Sequence, residues 1–383
     1  MSSCNKEQYM VDEMENPTIN PVAERFYDNL AKIIRATAMK GKMMRSEVET
    51  NATQTAEFYL ENEDEYPLQA KLATIEIELD NGTTVTYFDL SEEHQNQFLE
   101  DFTQYEAQQL SDKISAIPPL EAYIGEQNEI VEEVTEEFAT ETRSGDILIS
   151  DPNSFFAVLS SRLNEMAINF EYPGNATVDT RGVSFGGHGE DSVRFDRVRS
   201  LMNGVVKRGD VIVSLPCHNN PMCLVDFGNK KYLVGHAEIF TEPIVSTTSK
   251  PDEVTIGAWT KRGVSRQSLE NWCWRSYVVG ICKYKIKWKW RGFKSRFYPV
   301  KTPVSDPSLL ASWAESYEGR EYVKWYEFAT PKWAAPARFT CTTLVWWCAK
   351  KAYGVKISPW YRTLVTPSDV LCDSNTYLKV EIK

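Results

Sequence analysis

The chain has 383 residues, of which 42% are hydrophobic and 25% charged, with a formal net charge of −12. This length allows two or three domains and a large core, and the balance excludes wholesale disorder and fibrous classes. No apolar run reaches the roughly 18–20 residues of a membrane-spanning helix, and the acidity argues against a dedicated nucleic-acid binder.

The charges are unevenly placed. Residues 1–140 hold 30 Asp and Glu against 9 Lys and Arg, whereas the remainder holds 24 against 33, and all eleven Trp lie between Trp259 and Trp360. This divides the chain into an acidic accessory region, 1–140, and an aromatic, mildly basic region, 141–383. The start, Met1-Ser-Ser-Cys4, has no hydrophobic signal core. Ser-Ser-Cys before a polar, acidic run is similar to the mature end of a bacterial lipoprotein, which makes Cys4 a candidate lipid-bearing residue and membrane anchor. A chance cysteine in a floppy terminus is the equal alternative.

In the acidic region, Val22, Phe26, Leu30, Ile33 and Ile34 recur at helical steps from Pro21 to Met44. Residues 72–90 alternate around an Asn81-Gly82 hairpin turn, and 91–140 return to a helical pattern broken at Pro118-Pro119. The region reads as mainly helical or mixed, and its His94 is a surface-type histidine. Beyond it, Arg143-Ser-Gly-Asp-Ile-Leu-Ile-Ser150 reads as a turn feeding a strand and Asp151–Met166 as a capped helix. Residues 172–195 are rich in Gly, Asn and Asp; His188 there reads as part of a flexible loop rather than a ligand. A Gly209-Asp210 turn feeds a strand to Leu215, and Tyr232–Phe240 reads as another strand. Residues 276–290 alternate strongly, and Ser308–Tyr317 and Cys341–Tyr353 are helical. Strands followed by helices define an α+β class.

Eight cysteines without a C-x-x-C pair give neither a disulfide scaffold nor the common zinc signature. Cys217-His218 with Cys223 lacks the second half of a metal site, so a loop is expected there, and no metal or cofactor is assigned.

The stretch from Arg338 to Gly354 carries chemistry. Cys341, Leu344, Val345, Cys348 and Ala352 form one helical stripe, Gly354 is a natural C-cap, and Pro336 upstream places Cys341 in the first turn. Free N–H groups and the helix dipole there favour a thiolate. Cys348 reads as a buried structural cysteine. A nucleophilic cysteine needs a base, and of the four histidines only His236 sits in a regular strand, within Gly235-His-Ala-Glu-Ile239.

Gly209-Asp210-Val-Ile-Val, Gly235-His236-Ala-Glu-Ile, Gly263-Val-Ser-Arg-Gln-Ser-Leu269, Tyr317-Glu-Gly-Arg-Glu-Tyr322, Phe339-Thr-Cys-Thr-Thr-Leu-Val-Trp346 and Thr366-Pro-Ser-Asp-Val370 follow one another across 205–383. In this order they resemble the circularly permuted NlpC-type papain-like proteins of the YiiX/YaeF group, in which the His strand precedes the Cys helix. The resemblance implies an α+β permuted papain-like domain behind the acidic module, with Cys341 as nucleophile and His236 as base. It also implies a bacterial cysteine peptidase or amidase of the cell envelope, acting on peptidoglycan-type peptides as a periplasmic or outer-membrane lipoprotein. Cytoplasmic residence is the alternative location. Two departures stand out. The family's third polar residue, often Glu on the following strand, falls here on Gly257, which cannot orient an imidazole; Glu238, two residues along the His strand, reads as a poor substitute. Thr340 replaces the usual aromatic residue before the cysteine. A lipid-directed acyl hydrolase or acyltransferase, and a non-catalytic binding module that keeps the fold, are the alternatives.

Lys283-Tyr-Lys-Ile-Lys-Trp-Lys-Trp290 alternates lysines with apolar residues. It reads either as an outer strand that lysines protect from edge pairing, or as a platform for an anionic polymer, a lipid headgroup or the acidic module.

Overall fold

Helical and alternating patterns along the chain become a mixed helix-and-sheet, α+β structure. The computed structural model describes residues 9–10, 18–45, 52–63, 66–141, 147–170, 172, 195–216, 224–227, 230–245, 253–272, 276–282, 284–303, 306–328, 331–357 and 362–382. Cys4, His188, Cys217, His218 and Cys223 lie outside the described residues. The chain forms two compact units, one of Met1–Ser115, Ile124–Leu163 and Tyr284–Pro303, the other of Ala116–Tyr123, Asn164–Lys283 and Val304–Lys383.

In the first unit, the expected helix runs Pro21–Arg45. It starts where the Asn20 side chain accepts a hydrogen bond from the Val22 N–H at 2.8 Å, a helix-entry bond that satisfies an otherwise orphaned donor. Its buried residues Ala23, Phe26, Leu30, Ile33 and Ile34 recur at three- and four-residue steps. Helices Glu92–Ala116 and Leu120–Phe138 are separated at Pro118-Pro119, where the missing N–H groups end a helix. The hairpin about Asn81-Gly82 is present as Ile77–Glu78 and Thr84–Val85. Ala73, by contrast, closes the helix Pro67–Ala73.

The lysine-rich strand corrects one expectation. Tyr284–Arg291 pairs antiparallel with Arg296–Pro303 on one side and parallel with Ile77–Glu78 on the other. It is therefore an inner strand, and its lysines do not guard an edge. They meet acids instead: Lys285 pairs with Glu76, while the Lys289 and Lys287 ammonium groups lie 2.7 and 3.5 Å from Glu78. On the opposite face Trp288 and Ile77 are buried, and Trp288 meets Phe98 edge-on at 5.2 Å. The exposed ion pairs contribute little individually; the buried aromatic face supplies most of the stabilisation.

The second unit is built on an antiparallel sheet whose strands lie in the order Gly263–Gln267, Thr255–Trp259, His236–Phe240, Val211–Ser214, Ser276–Ile281, Thr376–Ile382. Ile212, Phe240, Val278 and Ile382 pack with Val198 and Met202 of the helix Phe195–Met202. The helix Cys341–Tyr353 packs on the His236–Phe240 strand and on the helix Leu309–Ser316. The run expected as one strand from Tyr232 to Phe240 is divided. Lys230–Leu233 pairs with Leu224–Phe227, whereas His236–Phe240 joins the large sheet. The break is Gly235, at φ +74°, where an added Cβ would lie 2.4 Å from the Ser214 carbonyl oxygen. That left-handed conformation favours glycine, and it turns the chain so that His236 opens the strand opposite Ser214.

Gly235→Ala is therefore expected to destabilise the protein by more than about 1 kcal/mol, read as a lower urea midpoint with unchanged slope. An unaltered midpoint would show that the turn tolerates a side chain.

Candidate active site

The Cys helix starts where a threonine box closes its first turn. Thr340 is the N-cap: its hydroxyl accepts from the Thr343 N–H at 3.1 Å, and the Thr343 hydroxyl accepts from the Thr340 N–H at 2.7 Å. Thr340, where the sequence resemblance leads one to expect an aromatic residue, is thus the helix cap. Cys341 is the first helical residue, so its N–H has no acceptor within the helix. Gly354, at φ +67°, ends the helix. The Thr342 hydroxyl donates to the Val365 carbonyl and ties this first turn to the Thr366-Pro-Ser-Asp369 turn. That turn is itself a capping box, with Asp369 accepting from the Thr366 N–H at 2.7 Å, and it is held by a buried Arg362–Asp369 ion pair. Cys348, wholly buried in the same helix, has its thiol pushed far up by burial, as a packing residue does.

The strand start and helix start meet. His236 and Cys341 are both buried, each 4% exposed, on elements that pack together, and Cys341 is the neighbour that most favours the charged imidazole. The other interaction of the imidazole is with Glu238: Nε2 lies 3.1 Å from Oε1. This overturns the expectation that Glu238 is too far along the strand. Residues i and i+2 share a strand face, and the carboxyl reaches back to the ring.

Glu238 is fully buried, and its carboxyl is met by donors throughout. Oε1 also accepts from the Trp259 indole N–H at 2.9 Å, and Oε2 accepts from the Thr255 hydroxyl at 2.6 Å and the Trp272 indole N–H at 2.9 Å. A buried carboxylate is tolerated only when its lone pairs are engaged in this way. With Glu238 as acceptor, Nε2 carries its hydrogen towards it, which leaves Nδ1 for the thiol. The Trp259 and Trp272 rings also lie 4.3 and 5.7 Å from the imidazole centroid, so the ring is packed as well as hydrogen-bonded.

Burial alone would favour the neutral imidazole, but the adjoining Cys341, together with the hydrogen bond and charge of Glu238, outweighs it and raises the His236 pKa to about 9. The imidazole is thus favoured in its protonated form beside the Cys341 sulfur. Tyr322 adjoins it. Its strand pairs with Arg338–Phe339 just before the Cys helix, and burial first, then the charge of Cys341, pushes its hydroxyl well above the ordinary range.

The other sequence candidates lie elsewhere. His94 packs against Trp290 at 4.4 Å in the first unit. Cys282, Cys341, Cys348 and Cys372 are thiols outside any disulfide. Among the described residues no group of three His, Cys, Asp or Glu could hold a metal ion, and no helix is long and apolar enough to cross a membrane. No protein-family model, curated protein or solved structure matches this chain.

A histidine whose pKa rises on folding contributes stability that is complete below its unfolded value of 6.5 and is lost as pH climbs through about 9. The His236 imidazole resonances are expected to titrate near the upper value, and His236→Ala is expected to flatten the fall in unfolding free energy across that window. Titration at the ordinary histidine value would contradict the geometry.

Proposed function

We propose that this protein is a cysteine-dependent hydrolase or amidase with a permuted papain-like catalytic domain, Cys341 being the nucleophile and His236 the acid–base group. The observation that carries the proposal is the juxtaposition of Cys341, at a helix N-terminus, with His236, at the start of the strand on which that helix packs. Cys348 provides an internal contrast: it lies in the same helix with the same side chain, but away from the imidazole and the helix N-terminus.

In the proposed reaction His236 takes the Cys341 proton, and the thiolate attacks an acyl carbon. The carbonyl π electrons move to oxygen, where the Cys341 N–H donates to the oxyanion. Collapse expels the amine or alcohol, protonated by His236, and leaves a thioester on Cys341. Water, deprotonated by His236, then attacks the thioester; the acid departs and the thiol is restored.

The family resemblance makes cell-envelope peptides the first substrate class and, through Cys4, the bacterial envelope the place of action. One observation favours acyl lipids as a second class. Trp325, Tyr326 and Trp333, in the segment leading to the Cys helix, are exposed, and such amphipathic rings settle readily at lipid–water boundaries. The buried Glu238 beside His236 supports a catalytic reading over a binding module that merely keeps the fold.

An activated acyl ester with a chromogenic leaving group tests the chemistry without knowledge of the natural substrate. The expected result is a burst of leaving group with a matching mass increase on the Cys341 peptide, reduced about a hundredfold or more in His236→Ala and absent in Cys341→Ala. Acylation elsewhere, or an undiminished burst in either variant, would overturn the assignment. Envelope peptides and acyl lipids then compete for the same thiol, and the better competitor identifies the substrate class.

A further inference from the structure

Resting on the Cys341–His236 reading, we infer that Glu238 is the positioning residue for His236, and that Gly257 is its structural counterpart: the sheet encloses one carboxyl-sized space behind the imidazole, which can be filled from either of two adjacent strands. Thr255, Gly257 and Trp259 share one face of their strand, and both side chains flanking the glycine donate to Glu238. The carboxyl therefore occupies the gap left where residue 257 has no side chain. A Cβ built on Gly257 would lie 2.6 Å from the Glu238 Cγ, 3.1 Å from its Cδ and 3.0 Å from its Oε1. Even a methyl group there must displace the carboxyl. A longer side chain from 257 would enter the same space and meet the same donors, Thr255, Trp259 and Trp272.

The consequence is functional as well as steric. A carboxyl in that space holds the Nε2 hydrogen, presents the other ring nitrogen to the thiol and balances the imidazolium charge. Thr255, Trp259 and Trp272 orient the carboxyl in turn, so the glycine is a requirement of this arrangement and the strand that supplies the acid is interchangeable.

The test is the pH–rate profile of Cys341 alkylation by iodoacetamide, followed by peptide mass spectrometry. Glu238→Gln, which keeps the shape, is expected to slow alkylation about tenfold at neutral pH, the equivalent of one pKa unit, and to move the midpoint upwards. Gly257→Ala is expected to act in the same direction although Glu238 is retained. Glu238→Ala combined with Gly257→Glu is expected to recover most of the rate lost in Glu238→Ala. A purely structural role would not shift the midpoint or permit this recovery. An unchanged profile in Glu238→Gln overturns the inference, and that variant decides the matter alone if the double variant does not fold; a folded double variant no faster than Glu238→Ala also overturns it. His236→Ala run in parallel separates the two claims. If it leaves Cys341 alkylation unchanged, the Cys–His reading fails. If it slows alkylation while Glu238→Gln does not, only the role of Glu238 fails.

Discussion

A carboxylate removed from water must find donors for its lone pairs, and around Glu238 that requirement organises a whole corner of the sheet. Thr255 and Trp259 come from the next strand, Trp272 from the short 3-10 turn that follows the Gly263–Gln267 strand, and His236 from the same strand. Each donor is an apolar or small side chain with one polar tip, so packing and hydrogen bonding are achieved together. The imidazole is one member of this network and is fixed by it. Losing any one donor would leave part of a buried charge unsatisfied, at a cost well above that of an ordinary hydrogen bond.

The helix side of the site follows a different logic. Cys341 is placed by a cap, Thr340, and by a tether from Thr342 to the Thr366-Pro-Ser-Asp369 turn. The first turn is therefore held in place, and the N–H without an acceptor inside the helix is at the sulfur's own residue. Two independently fixed elements, a strand start after Gly235 and a helix start after Thr340, bring the thiol and the imidazole together. Such preorganisation suits chemistry in which charge develops at a set position.

Much of this was legible in the amino acids. The helical stripe, Pro336 and Gly354 bracket the Cys helix correctly, and His236 is distinguished by its strand. What the pattern could not give was depth. Gly257 reads as a missing acid because a one-dimensional comparison records its lack of a side chain, not the neighbouring carboxyl that occupies the space. Glu238 reads as too distant because strand spacing describes Cα positions, whereas a glutamate side chain spans the interval to its i−2 neighbour. Thr340 reads as a lost aromatic because a capping box with threonine at both ends lacks the usual Glu or Gln partner. The lysine strand shows the same limit: alternation identifies two faces but not the strands that will flank them.

The most direct measurement is the relative alkylation rate of the four described thiols at neutral pH in wild type and His236→Ala. Selective modification of Cys341 over Cys282, Cys348 and Cys372, abolished or strongly slowed by His236→Ala, is the result expected for a thiol activated by this imidazole. Equal reactivity among the four, or a Cys341 rate indifferent to His236, would contradict it.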